Sequence, residues 1–294
     1  MFISKIKNLF LKNPSPPVVL SPQLDAYLVS QMIGAAIVSK QPFLVSRLGF
    51  TEARCLSQPE AKTNPSEFIR DLIWRYSGVF PATAGQFLDF REKYLGALEQ
   101  VDLLGLIRNS AEKKLVDELA CLPVTCDMGS LEPYLHPFPW SKFLAGKTIL
   151  VVHPFVESIQ SQYAIRKDLF LNPDVLPEFQ LRVIKAPQTL AGNSDGFESW
   201  THALDSLIQC VNETQFDVAI LGCGAYGMPL GAHIKKMGKT AIHLGGATQL
   251  LFGISGKRWV QHASFRAIMT AAWRPPLDSE RPRNLDKVEE GCYW

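Results

Sequence analysis

Short apolar runs alternate with stretches of helical spacing through the second half of this chain. Thr148-Ile149-Leu150-Val151-Val152 reads as a buried strand that closes at His153-Pro154-Phe155. Residues 157–170 read as a helix and 179–186 as a strand. Trp200–Asn212 reads as a helix with Leu204, Leu207, Ile208 and Val211 on one face. Residues 216–221, Phe-Asp-Val-Ala-Ile-Leu, form the next apolar run, rich in the branched residues that buried strands favour. A helix over 228–236 stops at Gly238, and a last strand runs over 240–244. Strands alternating with helices predict an α/β fold: a Rossmann-like, mostly parallel sheet with helices on both faces.

The first half reads as more helical. Residues 22–39 carry Leu24, Leu28, Met32 and Ile33 at helical spacing, and 42–46 read as a strand running into Arg47-Leu48-Gly49-Phe50-Thr51-Glu52. The region 65–120 reads as mainly helical, interrupted at Gly78-Val79-Phe80-Pro81, and 133–140 as an ordered loop rich in proline and aromatic residues. Asn13-Pro14-Ser15-Pro16-Pro17 is a break. The predicted organisation is a basic amphipathic tail and linker over 1–18, then one α/β domain over 19–294. Within that domain, 19–145 is the helical N-terminal portion with the Arg47 to Glu52 segment, and 146–294 is the glycine-rich portion. The proline-rich tail from Pro275 ends in Gly291-Cys292-Tyr293-Trp294, an aromatic terminus expected to dock on the body.

Composition narrows the classes. The chain has 294 residues and a net charge of +2, so bulk electrostatics give no sign of a nucleic-acid partner. Its six cysteines form no C-x-x-C pair and no zinc spacing, as expected of free thiols in a reducing cytosol. No apolar run is long enough to span a bilayer, and residues 1–12 lack the core and cleavage site of a secretory leader. Phe2, Ile3, Ile6, Leu9 and Phe10 share one helical face flanked by Lys5, Lys7 and Lys12. Such a face predicts peripheral contact with the inner face of an anionic membrane, or else a frayed end or a helix docked on the core.

The chemistry concentrates after two strands. Gly222, Gly224 and Gly227 form G-x-G-x-x-G between a strand and a helix, the context in which an α/β protein lets an anion approach the backbone, or the glycines serve only a tight turn and close helix packing. A dinucleotide site would also place a carboxylate at the end of the next strand. That strand ends Ile242-His243-Leu244-Gly245-Gly246, which argues against NAD. In a parallel sheet, Gly245 and Gly246 open on the same edge as 222–227. Lys257 and Arg258 can neutralise a diphosphate there and Trp259 can stack on a base, or the three are a surface pair beside a core indole. His153 either faces the same cleft or closes a satisfied turn. Glu52 suits a divalent cation or a ribose hydroxyl and Arg47 suits a phosphate, with a structural Arg–Glu pair as the plainer alternative.

Together these segments resemble the bacterial GT-D-type glycosyltransferases with an R-x-G-x-x-E motif, here Arg47-Leu48-Gly49-Phe50-Thr51-Glu52. The resemblance covers most of the chain after the linker. It includes 78–81, Pro139-Trp140-Ser141, 151–155, the run 222–227 with Tyr226, the segment 243–259 with His243, and 288–294.

The resemblance implies a hexosyltransferase-like enzyme that moves a sugar from a nucleotide-sugar donor, UDP-linked by expectation, to a glycan or lipid-linked acceptor in cell-surface polysaccharide synthesis. On this reading the catalytic candidates are Glu52, Arg47 and His153. Donor binding would fall to Gly49, Gly222, Gly224, Tyr226, Gly227, His243, Gly245, Gly246, Lys257 and Arg258. Better understood members carry Asp-x-Glu after Arg-x-Gly and use it for donor and metal. Here Phe50 replaces the Asp, which leaves Glu52 as the one candidate ligand for Mn²⁺ or Mg²⁺. Asp127, Glu132 and Glu157 join His153 as candidate bases. Two other classes stay open: another nucleotide-dependent Rossmann enzyme (an oxidoreductase or a methyltransferase), and a noncatalytic sugar-nucleotide-binding module.

Overall fold

The computed structural model describes residues 23–282. The amphipathic stretch 1–12, the 13–17 linker and the aromatic terminus lie outside the described residues. Eight strands form one sheet: β1 (Gln23–Leu24), β2 (Phe43–Arg47), β3 (Leu103–Leu106), β4 (Val124–Asp127), β5 (Thr148–His153), β6 (Gln180–Lys185), β7 (Val218–Leu221) and β8 (Thr240–His243). Their spatial order is β1-β4-β3-β2-β8-β7-β5-β6, and every pairing is parallel. Strands from 19–145 and from 146–294 meet where β2 pairs with β8, so both portions build a single sheet.

Alternate side chains point to opposite faces of each strand. On β5, Leu150 and Val152 join one core while Ile149 and Val151 join the other. The first core is covered by α2 (Phe50–Leu56), α3 (Glu67–Ser77), α4 (Ala84–Leu98), α5 (Ser110–Asp117), α8 (Trp200–Asn212) and α9 (Gly227–Lys236). The second is covered by α1 (Ala26–Ser39), α6 (Val156–Ala164), α7 (Arg166–Leu169) and α10 (Thr248–Leu251). A sheet buried on both sides explains why Val218 to Leu221 and Thr240 to His243 are buried throughout. The helices start on polar caps: Asp25 accepts from Leu28 N, Thr83 from Gln86 N, Ser199 from His202 N, and Asn109 forms a capping box with Glu112.

Four expectations need correction. The helix expected over 22–39 starts at Ala26, because Gln23 and Leu24 pair with β4 as β1 and Asp25 caps the helix. The region read as mainly helical contains β3, because Leu-Leu-Gly-Leu is apolar without β-branched residues and gives no strand signature. β4 was not anticipated, since only Thr125 and Cys126 of its four residues are buried. The helix expected over 157–170 breaks at Ile165 into α6 and α7.

One feature of the connectivity positions the site. The chain leaves β7 through α9 on one face and leaves β5 through α6 on the other. β7 and β5 are neighbours, so their carboxyl ends form a topological switch point, where α/β sheets open a crevice.

Candidate functional site

A cleft of about 420 Å³ opens at that rim. Strand ends supply Arg47 from β2, His153 from β5, the turn 222–226 after β7, and His243, Gly245 and Gly246 from β8. Gly49 and Glu52 reach it from the start of α2, and Arg258 from α11 (Lys257–Val260). Three arginines (Arg47, Arg75, Arg258) face a single carboxylate, Glu52, among the described lining residues. Arg75 shares its charge with Asp71 at 2.8 Å, and Arg47 Nη1 donates to the Leu244 carbonyl at 3.1 Å. Among the described lining residues cations outnumber carboxylates, which favours an anionic ligand.

Glu52 is 8% exposed. Its carboxylate lies over the Gly49 backbone, where a β-carbon would meet Glu52 Oε2 at 1.8 Å. Gly49 has φ −72°, so this glycine answers a close approach and not a backbone constraint. Tyr94 lies beneath, with the Gly49 N–H toward its hydroxyl at 3.5 Å. Burial, then the Glu52 charge, pushes the Tyr94 hydroxyl well above its ordinary pKa, so it stays protonated.

Two histidines flank the β7 turn in the order β8-β7-β5. The His153 ring packs on Gly222: a β-carbon there would lie 2.3 Å from His153 Cδ2 and 2.7 Å from Thr248 Cβ. The His243 ring packs on Gly227, 2.2 Å from the equivalent β-carbon position. Between them Gly224 has φ +56° with open space at its β-carbon position, so here backbone conformation demands glycine. The outer glycines of G-x-G-x-x-G thus make room for imidazoles.

Both rings are neutral. Burial pushes the His153 pKa down to about 3. His243 falls to about 3 through burial and then the Arg47 charge, opposed by a hydrogen bond to the Gly224 backbone. His153 Nδ1 accepts from Phe155 N at 3.0 Å, which puts its proton on Nε2. His243 Nδ1 lies 2.9 Å from Ser46 Oγ. The closed turn expected as the alternative at His153 is therefore present, and His153 also lines the cleft.

Other sequence candidates divide. Lys257 stands one residue outside the cleft lining. Trp259 is packed in the core, as its plainer reading held. Gly227 contributes through His243 and not to the lining. Tyr226 lines the cleft but is 2% exposed, stacked on Trp200 at 5.3 Å, with its hydroxyl 2.9 Å from Thr189 Oγ1. Of the four candidate bases only His153 reaches the cleft. Asp127 pairs with Arg108 at 2.6 Å, Glu157 bonds Ser279 at 2.8 Å, and Glu132 is buried beside Tyr134, its pKa raised by burial against the Arg47 charge.

Sequence reading missed Arg75, Tyr76 and Ser77 at the end of α3, and Gln188, Thr189 and Leu190 after β6. They enter from a helix end and an irregular loop. The Gly78-Val79-Phe80-Pro81 interruption, which halts α3 at the cleft, was the available signal.

Among the described residues no group of three or more His, Cys, Asp or Glu side chains is placed to hold a metal ion. Phe50, 42% exposed, lines the cleft where a second carboxylate would be needed. Glu112, a buried carboxylate outside the lining, accepts the N–H groups of Ile107 and Asn109. This donor set does not fit an ion held by protein ligands. Comparison with known protein families, with curated proteins and with solved structures finds no match.

Proposed function

We propose that the cleft binds a nucleoside-diphosphate sugar, UDP-linked by preference, and that the protein transfers the sugar to a glycan acceptor. The observation that supports this reading is convergence. Arg47 and Glu52 come from one end of the chain and the two glycine turns from the other, yet all meet in one cationic cleft at a switch point. Backbone at 222–224 and 245–246 approaches a diphosphate without side chains, and Arg47 with Arg258 supplies charge as it leaves. Glu52, held over Gly49, accepts hydroxyl groups of the ligand. His153, protonated on Nε2, enters as a hydrogen-bond donor and not as a base. No step is assigned to a metal.

A nicotinamide dinucleotide fits less well. β8 lies beside β7, and its end offers His243 and Leu244 where a ribose-binding carboxylate would stand. A second reading, a sugar-nucleotide-binding module without transfer, is favoured by the cleft's lack of a carboxylate besides Glu52 among the described lining residues.

The test is binding of UDP, NAD and S-adenosylmethionine side by side, followed by hydrolysis of a panel of UDP-sugars. The reading expects UDP to bind best and donor turnover to fall at least about a hundredfold in Glu52→Ala, the scale of losing a charged contact. Normal turnover in that variant would remove Glu52 from the site. UDP binding with no turnover of any donor would favour the binding module.

A further inference from the structure

The rim that carries the cleft continues past β5. Lys185, at the end of β6, pairs in register with His153, so it occupies the next position along the edge. A second cavity of about 570 Å³ opens there, lined by Lys185, Gln188, Asn193, Ser194, Asp195 and Arg281 among others. Gln188 and Pro282 line both spaces, so the two are contiguous.

The dividing wall is built with care. Gln188 N donates to Asp195 Oδ2 at 3.1 Å, its carbonyl accepts from Asn193 Nδ2 at 2.6 Å, and its Nε2 donates to the Glu280 carbonyl at 3.2 Å. Ala191 (φ 53°) and Asp195 (φ 52°) hold left-handed backbone to make these bonds, at about 1 kcal/mol each. The opposite wall is a strap pinned by the Glu280 carboxylate, which accepts from Glu157 N at 2.6 Å, from Ser158 N at 3.1 Å and from the Ser158 hydroxyl.

The Glu280 carboxylate is thus turned into the fold, and Asp195 spends one oxygen on the Gln188 N–H. Lys185 and Arg281 have no ion-pair partner among the described residues. What the cavity offers a ligand is amides, hydroxyls and two cations, without an aromatic or aliphatic platform other than Pro282. That chemistry suits a hydroxyl-rich molecule carrying negative charge.

We infer that the second cavity is the acceptor subsite and takes a glycan bearing an acidic group, held by Lys185 and Arg281. The inference rests on the nucleotide-sugar reading of the cleft. The acceptor would enter past Gln188. Its hydroxyl oxygen bonds to the anomeric carbon, the bond from that carbon to the diphosphate oxygen breaks, and the electron pair leaves on the nucleoside diphosphate. The hydroxyl proton passes to solvent.

The experiment presents UDP-saturated protein to a printed array of acidic oligosaccharides and their carboxyl-reduced counterparts, with UDP affinity measured separately by calorimetry. Binding of at least one acidic glycan is expected, weaker for its reduced form. It should fall about tenfold in Lys185→Ala and in Arg281→Ala, and be lost in Ser194→Trp, which fills the cavity from an exposed loop. UDP affinity should stay within about twofold in all three variants. Absence of acidic-glycan binding, equal binding of the reduced forms, or unchanged binding by Ser194→Trp would overturn the assignment. Failure of the wild-type protein to bind UDP, with the glycan results as expected, would strike the reading of the cleft and leave the glycan site standing.

Discussion

The carboxylate of Glu52 rests against the backbone of Gly49, three residues earlier, so closely that a β-carbon at 49 would lie 1.8 Å from Oε2. The spacing R-x-G-x-x-E follows from this. Arg47 ends a strand, Gly49 caps a helix, and the side chain one turn on folds back across the cap. Glycine at 49 serves the glutamate, which lines the cleft together with Arg47.

Gly49→Ala should therefore act on the site more than on the fold. Alanine accepts φ −72°, so no backbone strain arises, and the clash falls on a carboxylate that can swing away. UDP affinity should drop about tenfold or more, while the unfolding free energy from urea titration changes by about 1 kcal/mol or less. A variant that binds UDP normally would show that Glu52 can leave its position without consequence, and would detach the motif from the site.

The imidazole contacts on the β7 turn predict a different result. Gly227 sits at φ −63°, ψ −43°, so alanine suits its backbone, and the whole cost is the contact with His243. Gly227→Ala should lose about 2–3 kcal/mol, the usual scale of core overpacking. In Gly227→Ala/His243→Ala much of that loss should vanish, giving a coupling of at least about 1 kcal/mol. Additive losses in denaturant titrations of the two single variants and the double would mean that the turn yields elsewhere.

The parts of this architecture legible in the chain were those where local signals agree. β5, β7 and β8 are branched apolar runs that stop at His153, Gly222 and Leu244, and their parallel pairing places those ends on one rim. Arg47 could be added once β2 was seen as a strand. What stayed hidden depends on contacts distant in sequence. Nothing local to Tyr226 announces that Trp200 and Thr189 will bury it, and nothing near Gly222 shows that it faces the His153 ring. Gln188 was invisible because its loop has no periodicity. The segments expected to dock or to touch a membrane fall outside residues 23–282.

Acid should destabilise the protein through both histidines. Their folded pKa is lowered from 6.5 to about 3. Between those values the unfolded chain binds a proton that the folded chain refuses. Stability is therefore complete above about pH 6.5 and falls as pH drops toward 3, by up to about 1.4 kcal/mol per unit per histidine. Glu112 and Glu132, raised by burial, act with the opposite sign, so the readout is a difference between variants. Urea midpoints taken from pH 7.5 to 5 should fall less steeply in His153→Gln/His243→Gln than in the wild type. Equal slopes would mean that neither ring is buried neutral.

The strap that closes the second cavity hangs on one side chain. Glu280 fills the N-terminus of α6, where the unpaired N–H groups of Glu157 and Ser158 favour a negative charge. Ser158 Oγ in turn accepts from Leu277 N at 2.9 Å, so the same cluster fixes the strap at two points. Glu280→Gln keeps the volume but removes the charge and turns a donor toward donors. It should cost about 1–3 kcal/mol and speed amide hydrogen exchange at Glu157, Ser158 and Leu277. Ser279→Ala removes only the exposed bond to Glu157 and should leave both measurements near the wild type. If those amides exchange in Glu280→Gln as slowly as in the parent, then Pro282 and the apolar contacts of the strap hold it without the carboxylate, and the cavity wall is not latched at that point.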